Sequence, residues 1–541
     1  MHQTRSDTAP RNLARTRAAI AHAALILFIT LGHLGSGIAR AESEAAKRPE
    51  PPNVVILLAD DLGWADVGYR GSDIETPSID RLAEEGVVLD RFYATPICSP
   101  TRAALMTGRD ALKLGLAYDQ IHPWYNAGLP PDAYTIAEAF HDAGYQTGLV
   151  GKWHLGHTQA HQLPGAHGFD HFHGHLHTNT DYFRHERESG HDLQENGKPV
   201  DLTGQYLTHI QAREAVRFIE DRNPKKPFFL YVPFTAPHSP MQAPEETIAH
   251  YAHLPRANFR REYAAMVHEM DIAIGAILKA LEEQGVANNT LVLFFSDNGG
   301  FNGFGGINTP LRGQKGQTFE GGIRVPAVLR FPGRIKGGGH YEELVSVMDV
   351  FPTVASAAGL TTRKNTPMDG LDMWPSLGRG EPPPDRGPVF FVSEIPIPGL
   401  IHLGVIDGRF KLVQIVREGQ TETRVKTLLF DLEEDPTEQN DLAAEQPETA
   451  AKLAALIRSW RSQHPMAGVR GTLVAHPGWV APHDWAEAVT PARLLQPRWK
   501  NELPFPKALM DATAERGVLV DAATRRELEQ QEKARETSQQ P

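Results

Sequence analysis

Unbroken apolar runs, each about one strand long, recur through the first two-thirds of this chain. They are Asn53–Ala59, Gln146–Val150, Pro227–Val232 and Thr290–Phe295. A strand with one wet face alternates apolar and polar residues. A run without polar breaks is covered on both faces, as in a parallel sheet. Between these runs the spacing becomes that of helices. Val267, Met270, Ile274, Ile277 and Leu281 recur at helical intervals and predict a helix over residues 259–283 with one buried face. Alternating strands and helices predict an α/β fold, with a large, mostly parallel sheet between layers of helices.

Residues 361–388 are rich in proline, glycine and charge and read as a connection. Beyond them the pattern shortens. Val389–Val392, Leu403–Ile406, Phe410–Val413 and Leu428–Phe430 read as short strands, and Asp407-Gly408 between two of them is a hairpin signal. This predicts a smaller C-terminal domain with an antiparallel sheet, followed by a helix over 447–463. The last stretch is densely charged and is expected to fray. At the other end, Arg5, Arg11, Arg15 and Arg17 precede the apolar stretch Ala23–Ile29, and Ala39-Arg40-Ala41 offers a small-residue cleavage site. That is the order of a secretory signal peptide. An uncleaved anchor is the rival reading, but the apolar core is short and broken by His33 and glycines. The expected organisation is a signal peptide over 1–41, a catalytic domain over 52–387, a C-terminal α+β subdomain over 388–520 and a charged tail over 521–541. The protein is then exported, periplasmic or secreted, without stable membrane insertion after cleavage.

Composition narrows the function. Lysine and arginine number 54 against 66 acidic residues, a formal net charge of −12. Phosphate neutralisation needs a basic surface, so this balance argues against nucleic acid as a partner. A local basic pocket for an anionic substrate remains open. The single cysteine, Cys98, cannot form an internal disulfide. It opens Cys98-Ser99-Pro100-Thr101-Arg102, where Pro100 suits the first turn of a helix. Residue 98 would lie at that helix's N-terminus, which favours anions, with Arg102 one turn on.

Other chemistry-bearing residues follow the apolar runs. Asp60-Asp61 follows the first, and Asp297-Asn298-Gly299 follows Ser296 at the end of the fourth. Ligands of open α/β sheets sit beyond the carboxyl ends of strands. Three carboxylates and an amide suit a hard cation, Ca²⁺ or Mg²⁺. Either pair alone reads more readily as turn residues than as metal ligands. Lys152-Trp153-His154 follows the second run, His238 follows the third, and Lys315 lies in Gly313-Gln314-Lys315-Gly316.

Taken together these motifs resemble those of the type I, formylglycine-dependent sulfatases of the alkaline-phosphatase superfamily. The stretch from Cys98 to Arg109 is similar to the family signature C-x-P-x-R followed by T-G-R. Gly151–Gly156 is similar to its second signature, and Asp60–Gly63 and Asp297–Gly299 to its metal segments. Within the family, Leu58–Trp64 and Asp181–Glu186 resemble arylsulfatase B, an N-acetylgalactosamine 4-sulfatase. The absence of the animal enzyme's cysteines points to a bacterial relative. The resemblance covers roughly residues 52 to 445. It implies an alkaline-phosphatase-like layered domain with a mixed sheet. It also implies oxidation of Cys98 to formylglycine by a maturation enzyme, and Ca²⁺ (less readily Mg²⁺) held by Asp60, Asp61, Asp297, Asn298 and residue 98. The aldehyde hydrate would attack sulfur with one hydroxyl, and deprotonation of the other would release sulfate. Arg102 and His154 would hold the diol, with His154 as the base. Lys152 and Lys315 would neutralise sulfate oxygens, and one of them or His238 would protonate the leaving oxygen. The implied substrate is a sulfated sugar or an aryl sulfate.

Two alternatives accompany this reading: a phosphonate monoester or phosphodiester hydrolase with the same apparatus, and an inactive carbohydrate-binding protein. Ten histidines fall between residues 154 and 191, among them His171, His173, His175 and His177. Alternate spacing on a strand would suit a second metal site, but a polar loop contacting sugar hydroxyls is the preferred reading. Trp64, Trp124 and Trp153 are candidates for stacking on sugar rings, against the plainer expectation that they are buried.

Overall fold

A computed structural model describes residues 50–395, 399–418, 422–465 and 479–489. The expected signal peptide and the charged tail lie outside the described residues. Among the described residues no helix is long and apolar enough to cross a membrane.

A ten-stranded sheet organises the molecule. Its strands in chain order are β1 (Asn53–Ala59), β2 (Val87–Tyr93), β3 (Gln146–Lys152), β4 (His171–His175), β7 (Gln194–Glu195), β8 (Lys198–Pro199), β9 (Phe228–Pro233), β10 (Thr290–Ser296), β11 (Ala327–Arg330) and β12 (Gly339–Ser346); β5 (Glu186–Arg187) and β6 (Gly190–His191) form a separate pair. The spatial order is β12-β2-β11-β10-β1-β9-β3-β4-β7-β8. Five central strands, β10, β1, β9, β3 and β4, run parallel; β11 is antiparallel to both its neighbours. The sheet is therefore mixed and mostly parallel. All four apolar runs are central strands, as their lack of polar breaks requires. Both edges carry polar residues, His340 and Glu342 on β12 and Lys198-Pro199 on β8, which discourage pairing with another chain.

The twofold repeat of the strands builds two cores. Val54, Ile56 and Leu58 of β1 join one face, with Leu291, Leu293 and Phe295 of β10. Val55, Leu57 and Ala59 join the other, with Val292 and Phe294. The first core is covered by the helices Cys98–Thr107, Ile136–Asp142 and Val350–Ala357. The second is covered by Pro77–Glu85, Leu207–Asp221 and Arg260–Glu283. The last of these is the helix predicted over 259–283, and its five periodic residues are all buried. Phe259 has φ 58°, in the left-handed region, so the helix begins one residue later.

The shorter strands form the predicted antiparallel sheet: β13 (Val389–Ser393), β14 (Leu400–Asp407), β15 (Phe410–Glu418) and β16 (Thr423–Asp431). Asp407 pairs with Phe410, and Gly408 takes φ 60° in the turn. Helix Pro447–Arg461 lays Leu453, Ile457 and Trp460 on this sheet. The connection at 361–388 is not wholly irregular: Trp374–Arg379 is a short helix. Its Pro375 and Gly378 hid it, although proline is well tolerated in a first turn.

Candidate active site

Strand register decides which acidic residues meet. β1 and β10 are adjacent and parallel, with Ala59 opposite Ser296. Asp60-Asp61 and Asp297-Asn298 therefore leave the same sheet edge side by side. The Asp61 amide donates to Asp297 Oδ1 at 3.3 Å. Asp61 has φ 69° and His154 φ 58°, unusual for residues with side chains. Each such backbone costs on the order of 1–3 kcal/mol and persists only where the surroundings hold it. Gly299 is required by closeness: a Cβ there would lie 1.9 Å from the Gly321 carbonyl oxygen.

Three carboxylates and three cations interleave in this cluster. Arg102 donates to Asp297 Oδ2 through Nε and an Nη, at 3.2 and 2.9 Å, and lies 3.5 Å from Asp60 Oδ2. The Lys152 ammonium is bonded to Asp60. Lys315 Nζ is 2.6 Å from Asp61 Oδ1, which also accepts from Asn298 Nδ2 at 2.7 Å. Burial opposes ionisation of Asp60, but Lys152, His238, Arg102 and Lys315 outweigh it and hold this carboxyl far below its ordinary range. Burial and then the Asp60 charge push Asp297 up to about 7, against Arg102 and Lys152. Crowded carboxylates that compete for the same cations are the electrostatic setting a divalent cation relieves.

The fit to such a cation can be tested on individual atoms. Asp60 Oδ1 and Asn298 Oδ1 are buried oxygens without a hydrogen-bond partner, a costly state unless something else satisfies them. Asp60, Asp61 and His238 also form the one group of acidic, thiol or imidazole side chains, among the described residues, whose ligand atoms converge within 4.8 Å. The site thus has the donors for a metal ion, mostly hard oxygens.

Cys98 begins the helix Cys98–Thr107, and Pro100 falls in its first turn as expected. The thiol is buried, and Sγ lies 3.3 Å from His154 Nδ1. His154 Nε2 lies 3.0 Å from the Ile121 carbonyl oxygen, which can only accept. Nε2 therefore carries the proton and Nδ1 turns its lone pair to residue 98. Burial first, then Lys152 and Arg102, keep this imidazole neutral by pushing its pKa well down. Burial also raises the Cys98 thiol, against Lys152 and Lys315. His238 Nδ1 is 2.8 Å from the Ser239 carbonyl, leaving Nε2 toward Asp61 Oδ2 at 3.6 Å. Burial and Lys315 lower it to about 4. At Lys315 burial works against the charge, but Asp61 outweighs it and raises the pKa.

All ten residues singled out in the sequence meet in this cluster. Arg102, however, is engaged by Asp297, Asp60 and the Lys152 carbonyl rather than by residue 98. Two neighbours were not assigned a role from the sequence: Gln120, which no motif carries, and Ser99, which lies inside the Cys98 motif. Gln120 Oε1 lies 3.9 Å from Cys98 Sγ and accepts from Thr178. Ser99 Oγ accepts from the Ile121 amide and donates to the His154 carbonyl, so it ties the start of the Cys98 helix to the loops that carry Ile121 and His154.

The histidine row lies mostly on strand β4 and is largely buried, not a polar loop open to sugar, and among the described residues it forms no group of converging metal ligands. His171 stacks on Phe218 at 5.9 Å, and His175 Nε2 meets Thr235 Oγ1 at 2.7 Å, so these alternate positions pack under helix Leu207–Asp221 instead of converging. His177 points Nδ1 to Asp192 at 2.7 Å and is fully buried. Trp153 is also in the core, donating to the Gln162 carbonyl at 2.8 Å. Trp64 is buried beneath the guanidinium groups of Arg70 and Arg324. Of Trp64, Trp124 and Trp153, Trp124 alone is half-buried.

Comparison with known proteins agrees with this geometry. The sulfatase family model matches residues 52–360. The chain belongs to the sulfatase family. A second match, described as N-sulphoglucosamine sulphohydrolase, C-terminal, covers residues 314–463. Mouse (Mus musculus) arylsulfatase J is 38% identical over 381 residues, which are 67% of this chain and 64% of that one. Human (Homo sapiens) N-acetylgalactosamine-6-sulfatase is 38% identical over 364 residues, 62% of this chain and 67% of that one. Among solved structures, Ps i-CgsB in complex with k-i-k-neocarrahexaose superposes with a TM-score of 0.70 at 32% identity, covering 80% of this chain and 95% of that one. The chain thus spans just under two-thirds of arylsulfatase J and nearly the whole of Ps i-CgsB.

Proposed function

We propose that this protein hydrolyses sulfate esters of sugars, with residues 52–387 as the catalytic domain, residues 388–520 as a smaller subdomain, and a Cys98 that a maturation enzyme converts to formylglycine. The carrying observation is the convergence of Cys98 and His154, at 3.3 Å, with a cluster of three carboxylates and three cations that leaves two buried oxygens without partners. Asp60, Asp61, Asp297 and Asn298 would hold Ca²⁺, with His238 beside them. When bound, the cation supplies positive charge to the sulfate oxygens, and the hydrated aldehyde of residue 98 supplies the nucleophilic hydroxyl. A buried thiol with a raised pKa is a poor nucleophile, which favours conversion over direct use of the cysteine.

The chain's own residues supply the rest. Neutral His154 accepts a proton from residue 98 at Nδ1, its tautomer set by the Ile121 carbonyl. Arg102 fixes Asp297, and through it the acidic pair. Lys152 and Lys315 are the cations for the sulfate oxygens. Lys315 is the proton source for the leaving oxygen: it keeps its proton, whereas His238 presents a bare Nε2. Sulfated galactose or galactosamine units are the substrate class, in line with the names of the relatives and the oligosaccharide bound by the solved one. Export to the periplasm or medium follows from the signal-like N-terminus. The test has two parts. The peptide containing residue 98 is expected to weigh about 18 Da less than its cysteine form, and the protein to release sulfate from a sulfated galactose oligosaccharide. An unconverted peptide from active protein would overturn the mechanism.

A further inference from the structure

A segment remote in sequence is built onto one side of this pocket. Residues 479–489 lie beyond the residues matched by both family models. They dock on the loop around β5 and β6. The Trp485 amide donates to the His191 carbonyl at 2.9 Å, and the His191 amide donates to the His483 carbonyl at 2.9 Å. His191 Nδ1 meets Asp484 Oδ2 at 2.8 Å, and Trp485 Nε1 donates to the Arg187 carbonyl at 3.1 Å. Gly190 is required for this docking, because a Cβ there would meet the Pro482 carbonyl oxygen at 2.3 Å.

The docked segment continues an aromatic wall that starts at the pocket floor. Gln120, against Cys98, and Ile121, against His154, belong to the loop that carries His122 and Trp124. His122 stacks on Trp124 at 4.8 Å, and His157 Nε2 meets the Pro123 carbonyl at 3.0 Å. Trp485 is buried against the rings of His177 and His157, at 4.0 and 5.6 Å. Trp479 stands over both tryptophans, 5.8 Å from Trp124 and 6.3 Å from Trp485. It is half-buried, and the next residue, Val480, is 82% exposed. These contacts link the loop beside Cys98, through Trp124, to the half-buried Trp479.

We propose that Trp479, with Trp124, is a ring-stacking subsite for a pyranose neighbouring the sulfated one, so that the enzyme selects sulfated oligosaccharides over small sulfate esters. Large rigid rings with one wet side suit the apolar face of a sugar. Trp485 and Gly190 act as positioning residues, since they hold Trp479 in place. This rests on the sulfatase reading for its substrate, and the two are separated by experiment. Sulfate release is measured from a neocarrahexaose and from a galactose monosulfate. Trp479→Ala is expected to raise KM for the hexaose roughly tenfold, leave the monosulfate within about twofold, and be largely rescued by Trp479→Phe. Gly190→Val should copy Trp479→Ala. Equal losses on both substrates, or none on either, overturn the subsite. Calorimetry of neocarrahexaose binding to Cys98→Ala, with and without Trp479→Ala, reads the subsite without catalysis. Unchanged affinity overturns it even if the wild type releases sulfate. A roughly tenfold weakening supports it even if the wild type releases none, an outcome that would instead sink the sulfatase reading.

Discussion

Two clusters of buried charge sit in this molecule, and they are built to opposite ends. In one, Lys411 of β15 lies fully buried between Glu320 and Glu438, 2.8 Å from an oxygen of each. Tyr93 donates to the second Glu320 oxygen at 2.9 Å, and the Glu320 amide donates to the second Glu438 oxygen at 2.7 Å. All four carboxylate oxygens thus have a donor atom close by, although Lys411 approaches Glu438 as an ion pair and not along a hydrogen-bond axis. This clamp joins β2, the start of helix Glu320–Ile323 and the C-terminal sheet. The other cluster, at the ends of β1 and β10, holds as many cations as carboxylates yet leaves Asp60 Oδ1 and Asn298 Oδ1 without donors. Burial of charge is common to both clusters; they differ in that each clamp carboxylate oxygen has a cation or donor within 2.9 Å, whereas Asp60 Oδ1 has none.

The contrast can be broken from either side. Cys98→Ala should abolish sulfate release by about a thousandfold or more while leaving the unfolding temperature nearly unchanged, because the small side chain removes chemistry and little packing. Lys411→Met should do the reverse at first: it strands two buried carboxylates and is expected to cost about 3–5 kcal/mol in chemical denaturation. Equal stability of the two variants would refute the distinction. A smaller effect comes from metal. Calcium at a hundredfold excess over its Kd should stabilise the wild type by about 2.7 kcal/mol, and a chelator should reverse this. Asn298→Ala is expected to weaken the response and Glu438→Gln to leave it intact, as read by thermal shift.

The smallest effect concerns pH. Burial pushes the Glu438 carboxyl up to about 6, partly offset by Lys411. A carboxyl raised in the folded state takes up a proton on folding. Its contribution is full below the unfolded value of 4.5 and is lost as pH rises through about 6. Glu438→Gln should therefore flatten the stability profile between those limits. A profile with the wild-type slope in that window would show that the titration belongs to another group.

Much of the frame was legible in the chain. The four apolar runs became central strands because a strand covered on both faces is mostly apolar along its middle and places its polar residues, such as Asn53, Thr290, Lys152 and Ser296, at its ends. β4 was not legible as a strand: His171, Phe172, His173, Gly174 and His175 mimic a metal-binding or polar loop. Only packing under helix Leu207–Asp221 gives those imidazoles a structural role. β2 escaped for a related reason, since Asp90 and Arg91 interrupt its apolar pattern. At the site, the residues singled out from motifs were found, while Gln120 and Trp479 were not, because no local pattern marks them, and Ser99, although inside the Cys98 motif, was given no role there.

By itself the sequence determined the strand and helix periods, the motif residues at the strand ends, and the lone cysteine at a helix start. Those features depend on neighbours within a turn or a strand, so they can be read locally. Tertiary structure alone decided that Asp61 and Asn298, 237 residues apart, would share a hydrogen bond, and that Asp60 would keep one oxygen unmatched. It also decided that Trp479 would stand beside Trp124. Each of these depends on strand register and on the docking of distant segments, where small shifts in backbone position change which atoms meet.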